Sequence, residues 1–141
     1  MLNMSQQDEQ INSIISKAKS DGNTTPLRDL LKENNNKLKG LVIDGYIGDF
    51  PTFIEPVYLK PGIKIGDTVL LGPNAYINEG CDLGTFSELA NVILSKNVKT
   101  GKLTKLSWCV VESDIILPEK FEADNCFIIK DETGKIKTIS F

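Results

Sequence analysis

The chain has 141 residues, of which 40% are hydrophobic and 25% charged, and its formal net charge at pH 7 is −3. This composition is typical of one soluble domain, and the lack of a basic excess argues against an electrostatic nucleic-acid partner. No apolar run reaches membrane-spanning length, and the first twenty residues are too polar for a secretory signal, so we expect a cytoplasmic protein with no membrane partner.

The first forty residues predict two helices. Apolar residues recur at helical spacing in both, at Ile11, Ile14, Ile15 and Ala18 in the first and at Leu27, Leu30 and Leu31 in the second. Asp21 to Asn23 ends the first helix, Thr24-Thr25-Pro26 starts the second, and Asn34 to Asn36 ends that one. Both apolar stripes are narrow and need a surface to lie on. We therefore expect residues 1–40 to be a helical cap or linker that covers the first coil of the next domain.

A six-residue repeat runs from Val57 to Leu89. Its large aliphatic positions are Leu59, Ile65, Leu71, Ile77, Leu83 and Leu89. A second, mostly smaller residue precedes each of them by two positions, so every unit reads inward, outward, inward, and turn residues such as Pro61-Gly62 fill the gaps. Period two within a unit is a strand pattern, and the fixed six-residue spacing is typical of a single-stranded parallel β-helix. The sequence therefore predicts a mainly β fold.

Three such units make one coil of the predicted β-helix, which spans residues 41–129 in about five coils. The predicted core ladders are Ile47–Ile65–Leu83, Phe53–Leu71–Leu89 and Leu59–Ile77. The register breaks between Ser95 and Lys102 and resumes at Leu103 with an offset of four residues, which predicts a loop protruding at a corner. A two-residue deletion that shortens one coil is the alternative. Residues 130–141 predict a hairpin that caps the last coil.

The outward residues sort onto three faces when the segment after Ser95 is looped out. One face is polar and a second is mixed. The third is apolar in every coil, with Tyr58, Tyr76, Leu94 and Ile116. An apolar strip on a flat face is rarely left in solvent, so these four residues predict an interface with a neighbouring subunit.

Three segments carry a resemblance to a known family: Pro73–Ile77, Gly84–Asn91 and Lys102-Leu103, of which the second reads Gly-Thr-Phe-Ser-Glu-Leu-Ala-Asn. They resemble the C-terminal hexapeptide-repeat domain of sugar-1-phosphate nucleotidyltransferases, in particular the bifunctional pyrophosphorylase/acetyltransferases that make UDP-N-acetylglucosamine. The resemblance covers roughly residues 26–117. It implies a left-handed β-helix, an exception to the usual right-handed crossover, and a homotrimer.

The same resemblance places the family's catalytic histidine at Lys102 and its tyrosine at Lys105, while a family lysine is replaced by Ala90. The chain contains no histidine. Only two predicted helices precede the repeat, so we do not expect this chain to transfer nucleotides by itself. A lysine would need burial or crowding by other cations, such as Lys99 beside Lys102 and Lys105, to act as a general base.

Two functions remain open. The first is a non-catalytic trimeric module that uses no cofactor and binds a sugar phosphate, a nucleotide-related ligand or a separate transferase subunit. Its candidate ligand-binding residues are Phe86, Glu88, Asn91, Lys99 and Lys102. The alternative is an acetyl-CoA-dependent acyltransferase that acts on an amino-sugar acceptor, with Lys102 or Lys105 as an unusual base. Structural hydrogen bonds at corners are the competing interpretation of Glu88 and Asn91.

The three cysteines fit neither a disulfide framework nor a zinc site, and the missing histidines argue against a metal. Cys81 and Cys109 fall on predicted core positions, and Cys126 lies beside one. We expect reduced thiols, the buried ones acting as small apolar side chains.

Overall fold

A computed structural model describes residues 4–37, 40–43, 45–48 and 51–141, which form two helices, a β-solenoid of five turns and a C-terminal strand. The helices are α1 (Met4–Asp21) and α2 (Thr25–Lys37). The strands are β1 (Leu41–Ile43), β2 (Tyr46–Gly48), β3 (Thr52–Phe53), β4 (Val57–Leu59), β5 (Ile63–Ile65), β6 (Leu70–Leu71), β7 (Ala75–Ile77), β8 (Asp82–Leu83), β9 (Glu88–Leu94), β10 (Lys99–Thr100), β11 (Lys105–Val111), β12 (Ile116–Leu117), β13 (Glu122–Lys130) and β14 (Ile136–Ser140). This architecture confirms the predicted fold class. Neither helix in these ranges has the length and apolar character of a membrane span.

The coils stack so that parallel strands form three faces of a prism. The helix face consists of β1, β4, β7 and the second halves of β9, β11 and β13. The groove face consists of β3, β6 and the first halves of the same three long strands. The charged face consists of β2, β5, β8, β10 and β12.

The interior of the prism is an apolar core built from the inward residues of successive coils. The predicted ladders Phe53–Leu71–Leu89 and Leu59–Ile77 are confirmed as in-register neighbours, and so is the pair Ile65–Leu83. The prediction for Ile47 is wrong. Ile47 pairs with the outward residue Lys64 and is 74% exposed, because the first coil has a different register from the later ones.

The loop predicted after Ser95 is not formed, because the coils become shorter instead. The in-register positions Ala75, Val92, Cys109 and Cys126 follow one another at intervals of 17 residues, after an interval of 18 between Val57 and Ala75. The lost residue comes from the corner between the groove face and the helix face. In one coil, the three residues 72–74 lie between the inward residues Leu71 and Ala75. In the next coil, only residues 90 and 91 lie between the inward residues Leu89 and Val92. The two-residue deletion is also wrong, since one residue is lost in each coil.

This shortening regroups the outward residues. The helix face presents Tyr58, Tyr76, Ile93, Val110 and Phe127. Leu94 points into the prism instead, and Ile116 lies on the charged face, where it is exposed. The prediction that Tyr58, Tyr76, Leu94 and Ile116 share one outward face is therefore wrong for the last two.

The two helices pack against the helix face and not on the first coil as predicted. Their buried side chains are Ile11, Ile15, Ala18, Leu27, Leu30 and Leu31, which form a second core with the outward residues of this face. The stacked rings of Tyr58 and Tyr76, with centroids 5.1 Å apart, belong to the same cluster. The two tyrosines that suggested a subunit interface are thus covered by the chain's own helices.

Polar contacts fix the helices in place. Lys19 on α1 forms an ion pair with Glu112, and the Asn74 amide donates to the Leu31 carbonyl of α2 at 3.4 Å. The Thr24 hydroxyl, between the helices, donates to the Ser140 carbonyl of β14 at 3.0 Å. The boundary between the helices agrees with the prediction, whereas α2 continues to Lys37, through the asparagines expected to end it.

The predicted C-terminal hairpin is confirmed. Strand β14 runs antiparallel to β13, with Cys126 opposite Ser140 and Lys130 opposite Ile136. The connecting turn is held by Asp131, whose carboxylate accepts hydrogen bonds from the backbone of Thr133 at 2.8 Å and of Lys135 at 3.0 Å. This strand ends the parallel stacking of the solenoid.

Candidate functional site

The corner between the charged face and the groove face is built from residues in the left-handed backbone conformation. They are Thr68, Phe86, Leu103 and Lys120, with φ between 56° and 61°. This conformation costs an ordinary L-residue about 1–2 kcal/mol, so bulky side chains are uncommon there. Phe86 and Leu103 are nevertheless 53% and 41% exposed. The corner therefore presents two apolar side chains to solvent at a position that is unfavourable for both.

A groove of about 490 Å³ lies on the groove face beside this corner, between β6 and β13. Small residues at the opposite corner leave the space for it, among them Gly72, Ala90 and Ser107. Its charged lining residues are Glu88, Lys105, Glu122 and Asp124. Among the described residues that line the groove, three carboxylates face one lysine, so the groove has a net negative charge.

The charges in the groove alternate across neighbouring strands. Lys105 on β11 is the in-register neighbour of Glu88 on β9 and of Glu122 on β13. Parallel strands lie about 4.8 Å apart, and opposite charges on facing positions stabilise a sheet modestly. Lys105 is thus placed between the carboxylate residues Glu88 and Glu122 of the neighbouring strands. Ser107, two residues further along β11, also lines the groove.

The three lysines whose crowding would favour a general base do not converge. Lys99 lies on the charged face between Asp82 and Ile116, and Lys105 lies on the groove face. Lys102 is exposed at the corner that separates these faces. The crowding by Lys99 and Lys105 that a catalytic Lys102 would need is therefore not found.

The five candidate ligand-binding residues are also separated. Glu88 lines the groove, Phe86 and Lys102 lie at the adjoining corner, and Lys99 is on another face. Asn91 occupies the far corner of the groove face with a φ of 53°, and its side-chain oxygen accepts a hydrogen bond from Asn74 at 3.4 Å. These contacts favour the structural interpretation of Asn91.

The sequence-based prediction missed Ser107, Glu122 and Asp124. The assumed loop gave the later coils a different register, which separated Glu122 from Glu88. The sequence did contain a pattern that could have predicted this grouping. Charged residues recur at the 17-residue interval of the shortened coils, at Glu88, Lys105 and Glu122. In the part of the chain that the structure describes, no three His, Cys, Asp or Glu side chains are grouped to bind a metal.

No protein-family profile matches the chain. The chain is similar to the bifunctional protein GlmU of Caldicellulosiruptor saccharolyticus, with 36% identity over 67 residues, which is 45% of this chain and 14% of that relative. The alignment thus covers only a small part of the relative's length. Together with the solenoid, this similarity confirms the resemblance to a hexapeptide-repeat domain of that kind.

Proposed function

We propose that this hexapeptide-repeat chain is a non-catalytic binding and assembly module, and that the groove is its ligand-binding surface. One observation carries the proposal: Lys102, which stands where the resembled family has its histidine, is exposed at a corner, with Lys99 and Lys105 on different faces. A lysine that serves as a general base needs burial or converging cations. The position of Lys102 supplies neither a buried site nor convergence with those two lysines.

The lining of the groove favours a sugar with hydroxyl or amino groups. The carboxylates of Glu88, Glu122 and Asp124 accept hydrogen bonds from hydroxyl and ammonium groups, and the same charges repel a phosphate. Leu70, which is half-buried, adds apolar surface for a sugar ring. We therefore expect an amino sugar to bind more tightly than its phosphate ester.

An acetyl-CoA-dependent acyltransferase is the second candidate, and one observation favours it. Glu88 and Glu122 flank Lys105 in the groove, which offers a carboxylate as the base in place of the histidine. The two candidate functions differ in whether the protein catalyses acetyl transfer from acetyl-CoA.

Acetyl transfer decides between them. The purified chain, incubated with acetyl-CoA and glucosamine or glucosamine-1-phosphate, should release free thiol at the background rate, because general-base catalysis normally contributes about 10²–10⁴-fold. Turnover that is lost in Glu88→Gln, Lys102→Ala or Lys105→Ala would establish the acyltransferase and refute the non-catalytic proposal.

Ligand binding is tested by thermal unfolding with glucosamine, N-acetylglucosamine, glucosamine-1-phosphate and acetyl-CoA. A ligand at a hundredfold excess over its Kd adds about 2.7 kcal/mol to the free energy of unfolding. We expect glucosamine to give the largest shift and Glu122→Gln to reduce it. Asp82→Asn, the same change on the charged face, is the matched control and should leave the shift intact. If no sugar shifts the transition, the groove is not a sugar site.

We further propose that the chain forms a homotrimer through the corner that carries Phe86 and Leu103. The helix face is already covered by α1 and α2, so a neighbouring subunit would meet another part of the prism. The exposed side chains of Phe86, Leu103 and Ile116 support the choice of this corner and the charged face beside it. A cyclic trimer joins two different patches, so this corner would contact a different surface of the next subunit.

A further inference from the structure

Two cysteines face each other inside the solenoid. Cys109 on β11 and Cys126 on β13 are in-register neighbours in adjacent coils, and their Sγ atoms are 3.8 Å apart. Neighbouring parallel strands place Cα atoms about 4.8 Å apart, within the range of about 4.4–6.8 Å found for disulfides. Side-chain rotation can therefore bring the sulfurs towards a bond length of about 2.05 Å with little backbone movement.

Their surroundings make the two thiols unequal. Cys109 is fully buried, whereas Cys126 is 5% exposed on the last parallel strand of the helix face, next to β14. The hydrogen bond between the two Sγ atoms lowers the pKa of Cys126 and, together with burial, raises the pKa of Cys109. The thiolate is the reactive form of cysteine, so Cys126 is the thiol that an oxidant attacks first.

Cys81 differs from both. It is fully buried, its Sγ donates to the Ser95 carbonyl at 3.2 Å, and burial raises its pKa to about 12. It belongs to the opposite corner of the helix face, next to the charged face, and pairs with neither of the other cysteines. Cys81 is thus an internal reference for an unreactive thiol.

We propose that Cys109 and Cys126 form a redox site, in which a peroxide converts the two thiols into a disulfide that joins adjacent coils. The Cys126 thiol loses its proton and its sulfur attacks a peroxide oxygen. The O–O bond breaks, the leaving hydroxide takes up that proton as water, and Cys126 becomes a sulfenic acid. The Cys109 sulfur then attacks the Cys126 sulfur, the S–S bond forms, and the S–O bond breaks. Water leaves with the Cys109 proton. The peroxide is reduced by two electrons, and the two thiols together lose two.

The disulfide would fasten the C-terminal end of the solenoid. It closes a loop of the length of one coil, and a cross-link of about that size restricts the unfolded chain more than the folded one. For a domain of this size the expected result is a rise of about 5–10 °C in the unfolding midpoint. A thiol reductant should reverse the rise.

The test uses the full chain and hydrogen peroxide. The three cysteines lie in three different tryptic peptides, residues 65–96, 106–120 and 121–130, so mass spectrometry can assign every linkage. After oxidation we expect peptides 106–120 and 121–130 to be joined, with peptide 65–96 still available for alkylation. The unfolding midpoint of the oxidised protein should be higher than that of the reduced protein.

Two variants serve as matched controls, because both remove a fully buried thiol. Cys109→Ala should leave Cys126 as a sulfenic acid that dimedone traps, with no rise in midpoint. Cys81→Ala should keep both the cross-link and the rise. The absence of the joined peptides at excess peroxide, a linkage to Cys81, or a cross-link that lowers the midpoint would overturn the proposal.

Discussion

Adjacent residues on one strand of this solenoid lie in opposite environments. Ile65 is buried in the prism, while Lys64 points to solvent on the charged face. Ile65→Asn should lower the free energy of unfolding by about 3 kcal/mol or more, because it buries an unpaired amide and leaves a cavity. Lys64→Asn should change it by less than about 0.5 kcal/mol. Urea unfolding of both variants checks the register, and equal losses would contradict it.

The left-handed backbone conformation of the corner residues allows a second prediction for single residues. Lys120 has a φ of 61° and an exposed side chain, and asparagine tolerates this conformation better than lysine does. Lys120→Asn should therefore raise the free energy of unfolding by up to about 1 kcal/mol. Glu119→Asn, at an exposed neighbour without positive φ, is the control and should bring no gain. Chemical denaturation measures both, and a loss at Lys120 would show that the corner is not strained.

The sequence predicted the inward residues well from Val57 to Leu89, because the six-residue repeat is strict there. It failed beyond Leu89 because a corner of two residues, Ala90 and Asn91, replaced one of three. The loss of a single corner residue leaves no recognisable change in the hydrophobic pattern. It nevertheless shifts the register, so the later units lie on different faces from those predicted. Cys109 was still recognised as a core position.

At the scale of secondary-structure elements, α1 and α2 pack against the outward side of strand β11. Val110 and Val111 are both fully buried, but Val110 contacts the helices and Val111 the interior of the prism. Val110→Lys should release α1 and α2 while the solenoid persists, since isolated helices of this length are marginal in water. Val111→Lys should unfold the solenoid, because it buries a charge without a partner.

Far-UV circular dichroism and amide hydrogen exchange distinguish the two outcomes. The Val110 variant should lose helical signal and helix protection but keep protected strands. If the two variants behave alike, the helices and the solenoid form one cooperative unit.

The helices themselves were predictable from spacing and caps, but their position was not. An apolar stripe shows that a helix needs a partner surface without showing which one. The partner surface was hidden because the assumed loop placed Leu94 and Ile116 on the face of Tyr58 and Tyr76, in place of Ile93, Val110 and Phe127. Once these residues are aligned at 17-residue intervals, the helix face is apolar from Tyr58 to Phe127.

For the whole molecule, the proposed trimer is testable at one corner. Phe86→Asn combined with Leu103→Asn removes both exposed apolar side chains and places a residue that suits positive φ at each site. The double variant should be a folded monomer by light scattering, with an unchanged far-UV spectrum. Thr68→Asn, on the same row of corner residues, should remain trimeric. A double variant that stays trimeric would place the interface elsewhere.

The candidate site was predictable only in part. Glu88 and Lys105 were singled out by the resemblance, and both line the groove. Their grouping with Glu122 and Asp124 depends on the coil length, which brings residues 17 positions apart side by side. The proposed ligand changes accordingly, from a sugar phosphate held by lysines to a sugar held mainly by carboxylates.

The contact between the helices and the helix face also has a consequence for synthesis on the ribosome. The helices are made first, but Phe127, which they cover, and Ser140, which binds Thr24, are made last. Translation proceeds at about 5–20 residues per second, so the helix face is complete only roughly 5–20 seconds after α1 and α2 are made. Until then their apolar stripes are not fully covered. During that interval a nascent chain exposes two amphipathic segments that a chaperone can bind. Translation speed over the solenoid therefore sets how long the N-terminal segment is open to aggregation.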